Sequence, residues 1–292
     1  MKTKLRFTAF VASFFILHSA FVVSADTTIN AANRFAYAAN GGWLDWQGDT
    51  ANGAVIGDYV CAGAIYSANV GWINLGSGSP ANFIRYQNLA TNDFGVNHDG
   101  AGQLRGYAYG ANIGWVSFEN VGAPKVDLLT GQLSGSVYSA NLGWISLSNT
   151  FAVVQTDAFA PGAMATNGLP IAWLISQFGT TNVNASADAD SDGASNAQEY
   201  LAGTNPTDAA SQLRITAKTF APGGISATLQ WTSVSNRVYH IEETLSLSSP
   251  VWYESPAGTI APDPGNFTLR NFAERSEPMR FYHIRAARPL TP

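Results

Sequence analysis

Four copies of one pattern, Tyr-small-Ala-Asn-x-Gly-Trp-aliphatic, run through the first half of the chain. They are Tyr37-Ala38-Ala39-Asn40-Gly41-Gly42-Trp43-Leu44, Tyr66-Ser67-Ala68-Asn69-Val70-Gly71-Trp72-Ile73, Tyr109-Gly110-Ala111-Asn112-Ile113-Gly114-Trp115-Val116 and Tyr138-Ser139-Ala140-Asn141-Leu142-Gly143-Trp144-Ile145. The tryptophans lie 29, 43 and 29 residues apart, a constant period broken by a 14-residue insertion in the middle interval. A self-similar unit of this length cannot bury its apolar side alone, so the copies must pack against one another. A shorter echo, Gly102-Gln103-Leu104-Arg105-Gly106 and Gly131-Gln132-Leu133-Ser134-Gly135, precedes the last two copies.

The unit reads as antiparallel strands. Leu133, Gly135 and Val137 alternate with Ser134, Ser136 and Tyr138, and Trp144-Ile145-Ser146-Leu147 alternates again, with the period of two that marks a half-buried strand. Between the runs, Ala-Asn-x-Gly offers residues that tolerate positive φ, as a tight hairpin requires. Residues 26–157 are therefore expected to form an all-β domain of four quasi-repeats, the first incomplete. Composition agrees: 28 glycines and 12% aromatic residues against only 12% charged suit turns and half-buried strands rather than long charged helices.

Beyond this region the character changes. Pro161, Gly162, Gly168 and Pro170 mark a linker. Ile171-Ala172-Trp173-Leu174-Ile175-Ser176-Gln177-Phe178 reads as a short helix ending at Gly179, and Ala197-Gln198-Glu199-Tyr200-Leu201-Ala202 as a second, stopped by Gly203 and Pro206. From Leu213 onward alternation returns, through Ile225, Ala227, Leu229 and Trp231, then 238–241, then Phe281-Tyr282-His283-Ile284. Roughly six or seven short strands here predict a small β-sandwich of fibronectin or immunoglobulin type over 213–292. The expected fold class is thus mainly β: a repeat domain at 26–157, a linker with a helix–loop–helix module at 158–212, and the sandwich.

The N-terminus, Met1-Lys2-Thr3-Lys4-Leu5-Arg6 followed by an apolar stretch over 7–23 and the small residues Ser24 and Ala25, has the three parts of a secretory signal peptide. Cleavage after Ala25 would release a secreted or surface-associated protein, and no later segment is apolar enough to cross a bilayer. The remaining chain carries 12 basic against 20 acidic residues, a net charge of −8, which argues against nucleic acid as a partner. Cys61 is the single cysteine, so no internal disulfide is available and a metal ion is the natural staple.

One segment has the spacing of a metal loop. Asp188-Ala189-Asp190-Ser191-Asp192-Gly193-Ala194-Ser195-Asn196-Ala197-Gln198-Glu199 matches the twelve-residue acidic calcium loop at each ligand position. Calcium is a hard cation taking six to eight oxygens. Asp188, Asp190 and Asp192 offer carboxylates, Ala194 its backbone carbonyl, Asn196 its amide oxygen and Glu199 a bidentate carboxylate, with Gly193 at the sharp turn. Position eight of a paired loop is normally aliphatic; here it is Ser195, and no second loop matches, which points to one structural site.

This segment resembles the bacterial thrombospondin type 3 repeat, through Phe178-Gly179, the loop itself and Gln198-Glu199-Tyr200-Leu201-Ala202-Gly203-Thr204-Asn205-Pro206-Thr207-Asp208. The stretch after it is similar to the β-sandwich tail that follows such modules, through Leu229-Gln230-Trp231, Arg237-Val238-Tyr239-His240-Ile241-Glu242, Trp252 and Arg280-Phe281-Tyr282-His283-Ile284. The resemblance implies a calcium-rigidified spacer in an exported modular protein, and implies no enzyme.

The residues themselves offer no catalytic constellation. Apart from the leader only His98, His240 and His283 remain, Cys61 has no base beside it in sequence, and Asp45 with Asp49 is an ordinary acidic pair. The expectation is a non-enzymatic structural or adhesive protein whose partners are cell-surface or matrix glycans or proteins. The alternative is a carbohydrate-binding protein using Tyr66, Asn69, Trp72, Tyr109, Asn112, Trp115, Tyr138, Asn141 and Trp144 as aromatic platforms with amide partners. Against it, repeated aromatics flanked by glycines and aliphatics more often pack a core, so the tryptophans are expected inside, with each asparagine holding its own hairpin.

Overall fold

The structure, a computed structural model, describes residues 27–48, 51–221, 226–273 and 280–291. The expected leader and its cleavage position at Ala25 lie outside them. The described chain is mainly β, and its largest element is a closed eight-stranded barrel.

Each sequence repeat is one hairpin of that barrel. The first pairs Ile29–Ala38 with Gly42–Asp45, the second Cys61–Ser67 with Gly71–Ser77, the third Leu104–Gly110 with Gly114–Ser117, and the fourth Ser136–Ser139 with Gly143–Ser146. The first repeat is not incomplete: its leading strand has 10 residues. Neighbouring hairpins pair edge to edge, and Tyr37 opposite Ser146 joins the first to the fourth, so the barrel strands have no free edge.

The motif spells out this architecture position by position. Its glycine sits in the left-handed region in every copy, with φ of 74°, 79°, 72° and 76° at Gly42, Gly71, Gly114 and Gly143. Each thus closes a three-residue loop of the kind that ends in an αL residue. Its final aliphatic, Leu44, Ile73, Val116 or Ile145, points into the barrel and is fully buried, each contributing about 1.5–3 kcal/mol of hydrophobic stabilisation. Trp46 and Phe118 meet at 6.3 Å in the same interior. The x position plugs the barrel end with Val70, Ile113 and Leu142. In the first repeat x is Gly41, where a Cβ would stand 3.0 Å from Leu142 Cδ2; three plugs leave no room for a fourth.

The asparagines do not hold their own hairpins, contrary to the expectation, and none of them takes positive φ. Each amide reaches the neighbouring repeat instead. Asn69 Nδ2 donates to Gly41 O (3.1 Å), Asn112 to Val70 O (3.0 Å), Asn141 to Ile113 O (3.0 Å) and Asn40 to Leu142 O (3.2 Å). These four bonds run head to tail around the barrel end and close on themselves. The middle insertion lies against the wall through Tyr86, whose hydroxyl accepts from Gly78 N–H and donates to Cys61 O (3.2 Å).

After the barrel come two short helices, α1 (Ile171–Phe178) and α2 (Asn196–Ala202), each ending on a left-handed glycine, Gly179 and Gly203. Trp173 of α1 contacts Tyr200 of α2 at 5.4 Å, and Tyr59 from the barrel joins their cluster. Two three-stranded sheets follow. One holds Ile215–Phe220, Ser226–Thr232 and Phe267–Ala273; the other holds Tyr253–Glu254, Val238–Thr244 and Phe281–Ala287. They share one buried cluster that includes Leu229, Trp231, Tyr239, Ile241 and Phe272.

The three parts interlock. Arg237 is buried; its Nε donates to Leu201 O (2.8 Å), Nη2 donates to Tyr200 O, and the guanidinium lies 5.8 Å from the Tyr200 ring. Arg288, beyond the last strand, returns to the barrel, where it pairs with Asp58 (2.7 Å) and donates to Phe159 O (3.1 Å). Leu290 then packs on the barrel core. No helix among the described residues is long and apolar enough to cross a membrane.

Candidate functional site

The acidic loop lies between the two helices and is shaped by its own carboxylates. Asp188 Oδ1 accepts from Ser191 N–H (2.7 Å) and Oδ2 from Gly193 N–H (2.9 Å); Asp192 Oδ1 accepts from Ala194 N–H (2.7 Å). Carboxylate oxygens of Asp188, Asp190 and Asp192 all fall within 4.8 Å of one another, although like charges at such separations repel. Gly193, with φ of 99°, makes the reversal that returns the chain toward α2. Ser195, the departure from the aliphatic position eight, caps α2. Its side chain accepts from Gln198 N–H while the Gln198 side chain accepts from Ser195 N–H, a reciprocal capping box.

The remaining proposed side-chain ligands, Asn196 and Glu199, are on α2. Glu199 is buried, with Oε1 accepting from the Thr204 hydroxyl (3.1 Å). Asn196 is buried as well, its Nδ2 donating to Asn184 O (2.9 Å). Three oxygens of this group are buried with no hydrogen-bond partner: Asp190 Oδ2, Asn196 Oδ1 and Glu199 Oε2. Buried oxygens without partners are costly; the group whose mutual distances could hold a metal ion is Asp188, Asp190 and Asp192. Burial pushes the Glu199 carboxyl up to about 7; the three aspartates add to this, while the Thr204 hydroxyl opposes it.

The tryptophans of the repeats do not pack the core, which corrects the expectation. Trp43, Trp72, Trp115 and Trp144 point outward from the barrel and are 48%, 45%, 45% and 48% exposed. Each lies across the strand pair from the tyrosine of its own motif, at ring separations of 5.4, 4.9, 5.0 and 5.1 Å. Tyrosine and tryptophan are thus brought together, whereas Asn69, Asn112 and Asn141 sit in the turns with their amide N–H groups committed to the next repeat. Sequence reasoning missed four further rings in these groups: Phe35 and Phe151 beside Trp43, and Phe94 and Tyr107 beside Trp115.

The residues that could have suggested catalysis are otherwise engaged. Cys61 is buried and its thiol is pushed up to about 12 by burial. His98 Nδ1 bonds Gly57 O (2.8 Å) and its Nε2 accepts from Gly102 N–H (3.2 Å). His240 pairs with Glu254 and His283 with Glu242. Asp45 pairs with Arg34 at 3.4 Å, while Asp49 lies outside the described residues. Comparison with family models, with curated proteins and with solved structures finds no match for this chain.

Proposed function

We propose that this chain is a non-enzymatic, exported adhesive protein in which one calcium ion staples the segment between the barrel and the C-terminal sheets. The observation that carries this reading is the set of three buried, unpartnered oxygens on Asp190, Asn196 and Glu199, beside the aspartate triad. Asp188, Asp190, Asp192, the Ala194 carbonyl, Asn196 and Glu199 would hold the ion. They are oxygen donors only and allow the seven-fold shell that calcium accepts and magnesium does not. In this reading the module is a bacterial thrombospondin type 3 repeat, and the two C-terminal sheets are a β-sandwich tail of fibronectin or immunoglobulin type. The role of the ion is mechanical: it neutralises the triad and fixes α2, whose end carbonyls receive Arg237. Limited proteolysis of the secreted form tests this. Millimolar calcium is expected to protect the segment 180–199, and chelator to expose it before the barrel is cut. Equal cleavage in calcium and in chelator would overturn the staple.

A second reading concerns what is adhered to, and the outward tryptophans favour it. Four half-exposed indoles backed by tyrosines suit the flat C–H faces of sugar rings, with phenol hydroxyls to meet the sugar hydroxyls. We read the barrel as the carbohydrate-binding part of the protein. A glycan array with the secreted form is expected to give binding; a blank array would remove this reading and leave the calcium staple standing.

A further inference from the structure

His98 sits where three segments of the chain meet, and its bonds suit a neutral ring. Nε2 accepts from Gly102 N–H (3.2 Å), so that nitrogen carries no proton, and Nδ1–H donates to Gly57 O (2.8 Å). The backbone N–H of His98 donates to Tyr59 O (2.8 Å), and its ring meets the Phe159 ring at 5.0 Å. A second proton would set Nε2–H against Gly102 N–H, donor against donor. It would also place a charge on a side chain buried in the fold, which is costly without a partner.

The neighbours of that ring anchor the segment that follows the last strand. Asp58, next to Gly57, pairs with Arg288 (2.7 Å), and Phe159 O accepts from the same guanidinium (3.1 Å). Asp58 N–H in turn donates to Ala160 O (2.9 Å). Two residues beyond Arg288, Leu290 lies against the barrel, its Cδ1 3.1 Å from where a Cβ on Gly131 would stand. Its φ of 49° is a left-handed conformation that leucine adopts only where its surroundings impose it, so the strap at 288–291 is held under strain. On the far side of His98, the loop that carries Gly102 also carries Gly100, whose added Cβ would lie 3.3 Å from Asn236 Cβ. Strap and Asn236 turn therefore both reach the barrel through groups bonded to His98 or beside it. A cavity of about 60 Å³ opens next to the ring, between barrel, α2 and strap, with room for the water that would bring a proton in.

We propose that this junction is an acid-opened clasp: a second proton on His98 displaces its ring and with it the Asp58 and Phe159 anchors, so that the strap at 288–291 leaves the barrel while barrel and sheets stay folded. Among the described residues, the titratable and charged groups around the ring are Asp58, Tyr59 and Asp99 from the barrel, Tyr200 from α2, and Arg237 and Arg288 from the C-terminal part. Desolvation outweighs the Gly57 carbonyl and Asp99 and holds the imidazole below its ordinary 6.5. The open form, with the ring in water, binds the proton better. Opening is therefore favoured as pH falls below 6.5, by up to about tenfold per pH unit, until the closed ring itself takes up the proton. Asp58 works the other way. Burial, opposed by Arg288, keeps its carboxyl above the ordinary 3.8, so it is protonated more readily in the closed form and blunts the opening once the pH reaches that range. Burial pushes both tyrosines up, so they stay neutral in acid, and the two guanidiniums keep their charge.

The test is electron paramagnetic resonance on residues 26–292 carrying a nitroxide at Thr291→Cys, an exposed position of the strap. Cys61 is buried with its thiol pushed up to about 12, so it does not compete for the label. An immobile label is expected at about pH 7.5. The ratio of mobile to immobile label should rise by up to about 30-fold at about pH 5, reversibly and with near-ultraviolet circular dichroism unchanged. His98→Gln, whose amide can donate to Gly57 O and accept from Gly102 N–H without titrating, should keep the label immobile in acid. Arg288→Ala removes the anchor without touching His98 and should free the label at both pH values. A label that is mobile already at neutral pH in the unaltered background, or immobile at both, would overturn the clasp. So would acid release that persists in His98→Gln, which would assign the response to another group, and release that comes only with loss of the circular dichroism signal. A label still immobile in Arg288→Ala overturns it too, whether or not His98→Gln folds.

Discussion

The ring of asparagine amides makes a claim that one isosteric substitution can test. Asn112 donates to Val70 O at 3.0 Å, one of four such bonds that join each turn to the next. Asn112→Ala removes a single neutral hydrogen bond, worth about 1 kcal/mol. For a domain of this size that lowers Tm by about 3–5 °C. Asn112→Asp is more telling. Asp serves a turn as well as Asn, so a residue needed only for its own hairpin would accept the change. If the donated N–H is what matters, the exchange places a carboxylate oxygen against a carbonyl oxygen. The lost bond and the repulsion together cost about 2–3 kcal/mol, leaving N112D below N112A. The sign of the pH dependence follows. The new carboxyl is easier to protonate in the folded state, where its O–H can donate to Val70 O, so its folded pKa is raised above the unfolded value of about 3.9. The stability gap between N112D and the unaltered chain should then be widest at pH 7, narrow as pH falls through that raised folded value, and stop narrowing below about 3.9. Thermal unfolding followed by near-ultraviolet circular dichroism at both pH values measures it. If N112D melts with the unaltered chain at pH 7, or its deficit does not shrink in acid, the asparagines do not tie the repeats together.

Two other sites give clear expectations. Burial lowers the pKa of His98 below its ordinary 6.5, and the neutral ring both meets Gly57 O and accepts from Gly102 N–H. Protons therefore bind the unfolded chain better, so stability should be full above pH 6.5 and fall as pH drops below it. Urea titrations across pH 4–8 should show that slope flattened in His98→Gln. At the junction, Arg237→Met keeps much of the side chain's bulk but strips the carbonyls of Tyr200 and Leu201 of their donor. A loss of about 2–4 kcal/mol is expected in denaturant unfolding; an unchanged midpoint would mean that the junction contributes nothing.

Local features of this fold were legible in the sequence and non-local ones were not. The helix ends at Gly179 and Gly203 and the hairpins around Gly42, Gly71, Gly114 and Gly143 depend on residues within one turn, and each was marked by its glycine. The direction of the tryptophans was also readable. Tyr138 alternates in phase with Ser134 and Ser136, and Trp144 with Ser146, which puts both on the polar face. The expectation of a tryptophan core set that phase aside in favour of composition. Barrel closure was not readable, because it rests on Tyr37 meeting Ser146 across the whole domain. Nor was the purpose of the final residues: Arg288 meets Asp58 and Leu290 meets the barrel core, contacts that no local pattern announces. In the acidic loop the ligand spacing was legible, but the burial of Asn196 and Glu199 was not, because it depends on tertiary contacts that loop spacing does not record.

The central claim is that the acidic loop is a built calcium site, and calorimetric titration of residues 26–292 with calcium tests it most directly. One site is expected, with a dissociation constant of about 10⁻⁴–10⁻³ M, accompanied by a raised Tm and abolished in both Asp190→Ala and Glu199→Ala. Absence of heat and of stabilisation in millimolar calcium, or binding that survives both substitutions, would contradict it.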